Sequence, residues 1–147
     1  MYKNILAIVA TIILVSGCAG GRNYSSSISP ALERDFINNI GDRVFFEYDN
    51  NGLSKASKET LKKQAEWLRA HPNVRASIQG HCDVRGTREY NLGLGERRAN
   101  AARKYLQSQG LDEGRLETIS YGKERPADLG TDASAHAKNR RAVTVLQ

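Results

Sequence analysis

Cysteine and proline are scarce in this chain. Of its 147 residues, 2 are Cys, 3 are Pro and 1 is Trp. Two cysteines exclude a small secreted domain stapled by several disulfides, and 3 prolines with 13 glycines exclude collagen-like or proline-rich architectures. Hydrophobic residues make up 39% and charged residues 26%. This composition indicates one globular domain rather than two separate cores or a wholly disordered chain.

Long hydrophobic runs are also rare, and the clearest one lies at the N-terminus. Residues 5–15 carry no charge and follow Lys3, but a membrane-spanning helix needs about 20 apolar residues. The run is instead typical of a secretory signal. Val15-Ser16-Gly17-Cys18 resembles the bacterial lipobox, in which the cysteine becomes the acylated first residue of the mature protein. We therefore predict a lipoprotein signal peptide over 1–17 and lipidation of Cys18; the alternative is an ordinary signal peptide with an accidental Cys.

The segment that follows Cys18 is polar and rich in small residues. We predict that residues 18–41 form an acylated N-terminus and flexible tether, in which residues 31–40 have the composition for a short helix. Several acyl chains hold a protein firmly in a membrane. Ala19 stands where enteric lipoproteins retained in the inner membrane carry Asp, so we expect the outer membrane, on its periplasmic face.

Residues 42–147 alternate strand and helix patterns. The predicted strands are 43–48, 74–80, 116–121 and 141–146, the predicted helices are 54–71 and 89–109, and 122–140 is a long polar connection. This order, βαβαββ, predicts a two-layer α/β (α+β) sandwich with a mixed sheet and helices packed on one face.

The second predicted helix carries an arginine on its apolar side. At 100° per residue, Arg98 falls between Tyr105 and Ala102, whereas Arg97 faces outward. An unpartnered guanidinium there destabilises a domain by several kcal/mol, roughly 3–5 when a buried pair is broken. Arg98 therefore needs a carboxylate, from the protein or from a ligand. A structural Arg–Asp bridge, or extension of the side chain to solvent, remains an alternative.

Carboxylates are available at the ends of two predicted strands. Asp83 lies in the loop 81–88 after the second strand, and Asp49 ends the first. Ligand sites of α/β sheets commonly lie beyond such strand ends. Together with Arg98 and the Thr87 hydroxyl, these groups predict a cleft for a zwitterion, whose ammonium meets an Asp and whose carboxylate meets Arg98.

Other kinds of site are weaker interpretations. His81, Cys82 and Asp83 are consecutive, so their side chains alternate sides, and no paired Cys/His set occurs elsewhere. We therefore expect no metal, no cofactor and no catalytic group, with Cys82 a plain small residue. The modest net charge of +6 and the export signal argue against nucleic acid as a partner.

Several spaced motifs resemble the OmpA-like peptidoglycan-binding domain. They are GHCDVRGTREYN at 80–91 and LGERRA at 94–99, with VFFEYD at 44–49, SYGKERP at 120–126 and NRRAV at 139–143. The resemblance covers 42–147, and it departs from the family at Cys82, where relatives more often have Ala or Thr.

The resemblance implies non-covalent binding of the peptidoglycan peptide stem through its diaminopimelate. The residues of the family that clasp diaminopimelate fall on Asp83 and Arg98, and further binding positions fall on Asp49, Gly86, Thr87, Asn91 and Leu94. It implies a non-enzymatic lipoprotein that tethers the outer membrane to the cell wall and supports envelope integrity and cell division, with TolB and TolA as partners. The alternative is a periplasmic hydrolase of stem peptides. Flagellar stator subunits can share the domain, but they need a transmembrane helix.

Overall fold

A computed structural model describes residues 28–147. The predicted signal peptide, Cys18 and the first part of the predicted tether lie outside the described residues. Within residues 28–147, no helix has the length and apolar character needed to cross a membrane.

The described chain contains four α-helices and four strands. In chain order they are α1 Pro30–Asp35, β1 Arg43–Phe45, α2 Lys55–Ala70, β2 Ala76–His81, α3 Arg88–Ser108, β3 Leu116–Gly122, α4 Ala133–Asn139 and β4 Arg141–Leu146. A π-helical turn, Phe36–Ile40, continues α1, and a 3₁₀ turn, Glu113–Arg115, precedes β3. The predicted boundaries of α2, α3 and β4 agree with these to within one residue.

The strands form one mixed sheet in the order β1-β4-β2-β3. β4 is antiparallel to both of its neighbours, and β2 is parallel to β3. β1 and β2 therefore run in the same direction, and their last residues, Phe45 and His81, both pair with Arg141. The predicted α+β class is confirmed, and the ends of β1 and β2 lie on the same edge of the sheet.

Helices α2 and α3 are held on the sheet by their predicted apolar faces. Ser54 caps α2 by accepting a hydrogen bond from the Ser57 amide (3.1 Å), and Thr87 caps α3 by accepting one from the Tyr90 amide (3.2 Å). The buried core residues of these helices are Leu61, Ala65, Trp67, Leu68, Ala99, Ala102 and Leu106. Burial of this stripe supplies the main driving force for docking the helices on the sheet.

Two glycines set the distance between α3 and β2. A Cβ added to Gly80 would lie 1.7 Å from the carbonyl oxygen of Gly95, which no side chain tolerates. The backbones of α3 and β2 are therefore in direct contact at this pair. Arg98 lies three residues beyond Gly95, so this contact holds its side chain against the end of β2.

The N-terminal part of the described chain differs from the predicted tether. Residues 30–40 are helical and packed on the domain: Phe36 is fully buried, its ring meets Trp67 edge-on at 5.0 Å, and Asp35 accepts a hydrogen bond from the Trp67 indole at 2.7 Å. The physical reason is an apolar stripe at four-residue spacing, Ile28, Leu32, Phe36 and Ile40. A short helix was expected here, but its burial against α2 was not, and the packed domain begins before residue 42.

Two further elements differ from prediction. The connection 122–140 contains α4, which is capped by Asp132 accepting from the Ala135 amide at 2.7 Å. With only Ala135 and Asn139 buried on seven residues, α4 has almost no apolar periodicity to reveal it. The strand predicted over 43–48 ends at Phe45, because the chain turns away from β4 beyond Phe46. The described domain thus reads βαβαβαβ, preceded by α1.

Candidate ligand-binding site

Arg98 is fully buried where β1 and β2 end. Its guanidinium donates to three backbone carbonyls: Nε to Asn50 at 2.9 Å, Nη1 to His81 at 2.9 Å and Nη2 to Glu47 at 3.1 Å. Its guanidinium carbon also lies 5.3 Å from the centre of the Phe46 ring. The inward position of Arg98 was predicted, but these carbonyl partners, which join α3 to β2 and to the segment that follows β1, were not.

The charge of Arg98 is not neutralised by these contacts. In the described part of the chain, every ion pair involves other residues, so no carboxylate faces this guanidinium at bonding distance. Burial lowers the pKa of Arg98, although arginine stays protonated in proteins. The structural Arg–Asp bridge considered as an alternative is thus absent among residues 28–147, and the side chain does not extend to solvent.

Asp83 is a carboxylate whose charge raises the pKa of Arg98 against the effect of burial, and it is 4% exposed. Its Oδ1 accepts from the backbone amide of Arg85 and from Arg85 Nε, both at 3.1 Å. Its Oδ2 accepts from Arg85 Nη2 at 2.7 Å and from Arg140 Nη1 at 3.4 Å. Burial raises the pKa of Asp83, but the hydrogen bonds from Arg85 and Arg140 outweigh burial and hold it below its ordinary value.

A cavity of about 100 Å³ separates Arg98 from the surface. Its walls combine the two charged groups with the loop after β2 and the start of α3. The lining residues are Tyr48, Asp49, Cys82, Asp83, Arg85, Gly86, Tyr90, Asn91, Leu94 and Arg98. Six of the seven positions predicted for ligand binding are therefore brought together. The seventh, Thr87, caps α3 and does not line the cavity.

The loop between β2 and α3 is held by hydrogen bonds from buried side chains. Asn91 is buried, and its side-chain amide donates to the carbonyls of Arg85 at 2.7 Å and Thr87 at 3.0 Å. Gly86 has φ +90°, a conformation that L side chains rarely adopt. The thiol of Cys82 donates to the Asn91 carbonyl at 3.3 Å. These bonds give the cavity a fixed wall without a ligand.

The opposite wall is held by Asp49 and Tyr90. Asp49 adopts φ +50° after β1, and its carboxylate accepts a hydrogen bond from the Tyr90 hydroxyl. That bond raises the pKa of Tyr90. Asp49 is thereby directed toward the start of α3, which brings a second carboxylate to the rim of the cavity, as the parallel course of the first two strands predicted.

Sequence reasoning did not single out four residues of the site: Tyr48, Arg85, Tyr90 and Arg140. The guanidinium of Arg85 stacks over the Tyr48 ring at 4.0 Å while it pairs with Asp83. Arg140 lies between α4 and β4, donates to the Phe46 carbonyl at 2.8 Å and reaches Asp83. All four lie inside the motifs quoted from the sequence, so their position in those motifs was the available signal. Nothing local in the sequence distinguishes Arg140 from its neighbour Arg141.

His81 and Cys82 lie in different surroundings. The His81 ring stacks on Tyr121 with centroids 5.5 Å apart and does not line the cavity. Burial, followed by the charges of Arg141 and other arginines, lowers the pKa of His81 to about 4. Within residues 28–147, no cluster of His, Cys, Asp or Glu has the geometry to hold a metal ion.

The mixed sheet with α2 and α3 on one face is the fold of a known domain class. The model of the OmpA family matches residues 45–140. Structures of the flagellar protein MotB from Helicobacter pylori share the fold at 19% identity and a TM-score of 0.67, with 72% of this chain and 84% of that chain covered.

The relatives with higher sequence identity are peptidoglycan-associated lipoproteins. The peptidoglycan-associated lipoprotein of Agrobacterium fabrum is 44% identical over 99% of this chain and 89% of its own, and that of Rhizobium meliloti is 45% identical over 96% and 85%. The crystal structure of the peptidoglycan-associated lipoprotein from Burkholderia pseudomallei has a TM-score of 0.74 at 38% identity, covering 78% of this chain and 99% of that chain. The chain belongs to the OmpA family, among its peptidoglycan-associated lipoproteins.

Proposed function

We propose that this protein binds peptidoglycan through the diaminopimelate of the stem peptide. The observation that carries the proposal is Arg98, a fully buried guanidinium that forms no ion pair within residues 28–147 and lines a cavity open to ligand. A buried charge of this kind is costly unless an anion completes it. The names of the relatives point to the same cell-wall polymer.

The chemistry of diaminopimelate suits the two charged walls. Its free end carries a carboxylate and an ammonium on one carbon. A guanidinium has five N–H donors, of which Arg98 uses three on carbonyls, so donors remain for a carboxylate. Asp83 and Asp49 supply carboxylates for the ammonium. Charge-assisted bonds inside a small cavity are stronger than the same bonds in water, which favours this zwitterion over a neutral ligand.

The remaining positions shape the cavity around that end group. Gly86, Asn91 and Leu94 line it, and Thr87 holds the start of α3 in place. In this proposal they orient the ligand, while Arg98 and Asp83 discriminate between its charges.

The anchoring half of the proposal rests on the N-terminal segment. Acyl chains on Cys18 hold the protein in the outer membrane, and the domain grips the wall from the periplasmic side. The polar residues after Cys18 and the lipoprotein names of the relatives support this arrangement. As a member of the Tol–Pal system, the protein would then meet TolB and TolA and support envelope integrity and cell division.

We propose that the protein binds the stem peptide without cleaving it. A hydrolase of stem peptides needs a base or nucleophile at the cavity, yet the His81 imidazole stacks on Tyr121 outside it and the Cys82 thiol is bonded to the Asn91 carbonyl. Burial also raises the pKa of the Cys82 thiol, which disfavours the thiolate. Incubation with muropeptides should yield no new fragments by mass spectrometry, and any fragment that Asp83→Asn abolishes would favour the hydrolase instead.

The decisive experiment is a calorimetric titration with two stem peptides. One ends in diaminopimelate and the other in lysine, which lacks the distal carboxylate. We expect the lysine peptide to bind at least about tenfold more weakly, because it has no distal carboxylate to pair with the Arg98 guanidinium. A tenfold change in the dissociation constant corresponds to about 1.4 kcal/mol. Arg98→Lys, which keeps the charge but loses the planar fork, should shrink the difference between the peptides.

Arg97→Lys is the matched control, since Arg97 is the exposed neighbour on the same helix and does not line the cavity. It should retain the full preference for diaminopimelate. Equal affinity of the unaltered protein for both peptides, or no binding of either, would contradict the proposed role of Arg98.

A further inference from the structure

Asp83 already has a full set of partners inside the protein. A carboxylate offers roughly four lone-pair sites. The Asp83 oxygens accept the Arg85 amide, Arg85 Nε, Arg85 Nη2 and Arg140 Nη1. An incoming ammonium therefore finds no vacant position on this carboxylate, so one of the present donors must leave before Asp83 can bind it.

Arg85 and Arg140 differ in how firmly they are held. The Arg140 side chain is 13% exposed and is fixed by its bond to the Phe46 carbonyl at 2.8 Å. The Arg85 side chain is 41% exposed, and its guanidinium rests on the outer face of the site over the Tyr48 ring at 4.0 Å. Tyr48 is itself an exposed residue, so Arg85 can move into solvent without breaking the core. Arg85 is the donor that can leave.

We propose that Arg85 is an internal competitor that occupies the ammonium position of Asp83 and sets the affinity and selectivity of the site. Its side chain is a cation on a carboxylate, the same pairing that a ligand ammonium would make. A ligand that carries an ammonium has to displace it, and a ligand without one gains nothing from doing so. This inference rests on the proposed binding of diaminopimelate, and it adds a residue that opposes that binding.

The test compares Arg85→Met with the unaltered protein on two ligands. Methionine keeps an unbranched side chain out to the position of the Arg85 Nε but carries no charge. The ligands are the stem tripeptide ending in diaminopimelate and its analogue without the distal amino group. The quantity measured is the ratio of their dissociation constants, because any other contact of Arg85 with the peptide affects both ligands and cancels. Arg88→Met is the control: Arg88 is exposed, pairs with Glu124 and does not line the cavity.

We expect Arg85→Met to raise the ratio in favour of the amino-bearing peptide by about two- to fivefold, the upper part of the range for loss of a partly exposed ion pair. Arg85→Gln, whose amide can still donate one bond, should give a smaller rise, and Arg88→Met none. The Arg85 Nε–H resonance should also shift on titration with the amino-bearing peptide and stay in place with the analogue.

A ratio that stays constant or falls in Arg85→Met would overturn the competitor role and make Arg85 a support for Asp83. If the unaltered protein binds the diaminopimelate peptide but the ratio does not rise, only this inference fails. If the unaltered protein binds neither peptide, the proposed function fails with it. Thermal unfolding of each variant, expected close to that of the unaltered protein because Arg85 is largely exposed, verifies that the fold is intact.

Discussion

Arg115 and Arg98 both donate hydrogen bonds to backbone carbonyls, but they lie in different surroundings. Arg115 donates to the carbonyls of Leu68, His71 and Val74, where α2 ends, at 2.6–2.9 Å. Arg98 also donates to three carbonyls, at 2.9–3.1 Å. Arg115 is half-buried at a helix C-terminus, whose partial negative charge suits a cation. Arg98 has no helix end to face, and it lines a cavity.

The difference shows what turns a structural arginine into a binding group. Carbonyl bonds position both guanidinium groups equally well. Only at Arg98 does a buried charge remain beside an opening that a ligand anion can enter. Arg98 and Arg115 therefore differ in burial and in access to a cavity rather than in their hydrogen bonds. Variants of Arg98 should change both stability and ligand binding, whereas variants of Arg115 should change stability alone.

The largest expected effect comes from removing each arginine in turn. Arg98→Ala should lower the free energy of unfolding by about 3 kcal/mol, because three carbonyls from three segments lose their donor and water replaces it only in part. It should also abolish binding of the diaminopimelate peptide. Arg115→Ala should cost about 1–2 kcal/mol, because water reaches those carbonyls, and should leave binding unchanged. Urea unfolding and calorimetry measure both; loss of binding in Arg115→Ala would erase the distinction.

A second prediction concerns His81, at the end of β2, and the pH dependence of the free energy of unfolding that it causes. The backbone carbonyl of His81 accepts a hydrogen bond from Arg98, and the His81 imidazole stacks on Tyr121. Burial lowers the pKa of this imidazole from 6.5 to about 4, and the charges of Arg141, Arg125 and Arg43 add to the effect. Between these values the unfolded chain binds more protons, so the stability contributed by neutral His81 is complete above pH 6.5 and is lost as pH falls toward 4. From pH 7.5 to 5 the free energy of unfolding should drop by about 2 kcal/mol.

Urea titrations across that pH range measure the effect. His81→Gln should remove this part of the slope, because glutamine does not titrate. An unchanged slope in His81→Gln would assign the pH dependence to other groups and would mean that His81 can be charged beside Arg141.

The smallest expected effect concerns the rim of the cavity. Tyr90→Phe removes the hydroxyl that holds Asp49, and because both residues are exposed we expect at most about a threefold loss of affinity. Tyr48→Phe is its control: among the described residues the Tyr48 hydroxyl makes no hydrogen bond, and phenylalanine keeps the ring under Arg85. A loss in Tyr90→Phe as large as in Arg98→Ala would place the main recognition at the rim instead of at the buried arginine.

Much of the fold could be read from periodicity and caps. Helix α2, strand β2 and the inward position of Arg98 all follow from local patterns, and each is present, although β2 is buried on both faces and does not alternate in burial. The errors fall where the local signal is weak. Helix α4 has seven small or polar residues and no apolar stripe to reveal it, and the stripe from Ile28 to Ile40 needed α2 as a partner to show that it packs.

Less of the site could be read. The motif placed Asp83, Arg98 and the loop between them, and Asp49 was expected from strand direction. The carbonyls of Glu47 and Asn50 as partners of Arg98, and the two arginines on Asp83, were not foreseen. These contacts join residues 48 to 57 positions apart in three of the four cases, and local patterns carry no information over such distances.

By itself, the order of residues determined which side of α3 carries a cation and which loop carries an acid, because helical and strand repeats depend on near neighbours alone. Only the assembled sheet decided what those groups touch. The junction of α4 and β4 brings Arg140 to Asp83, and the Gly80–Gly95 contact holds Arg98 at the strand ends. The partner of a charged side chain depends on which distant segments of the chain pack together. The cavity, and the two cations beside Asp83, therefore exist only in the folded chain.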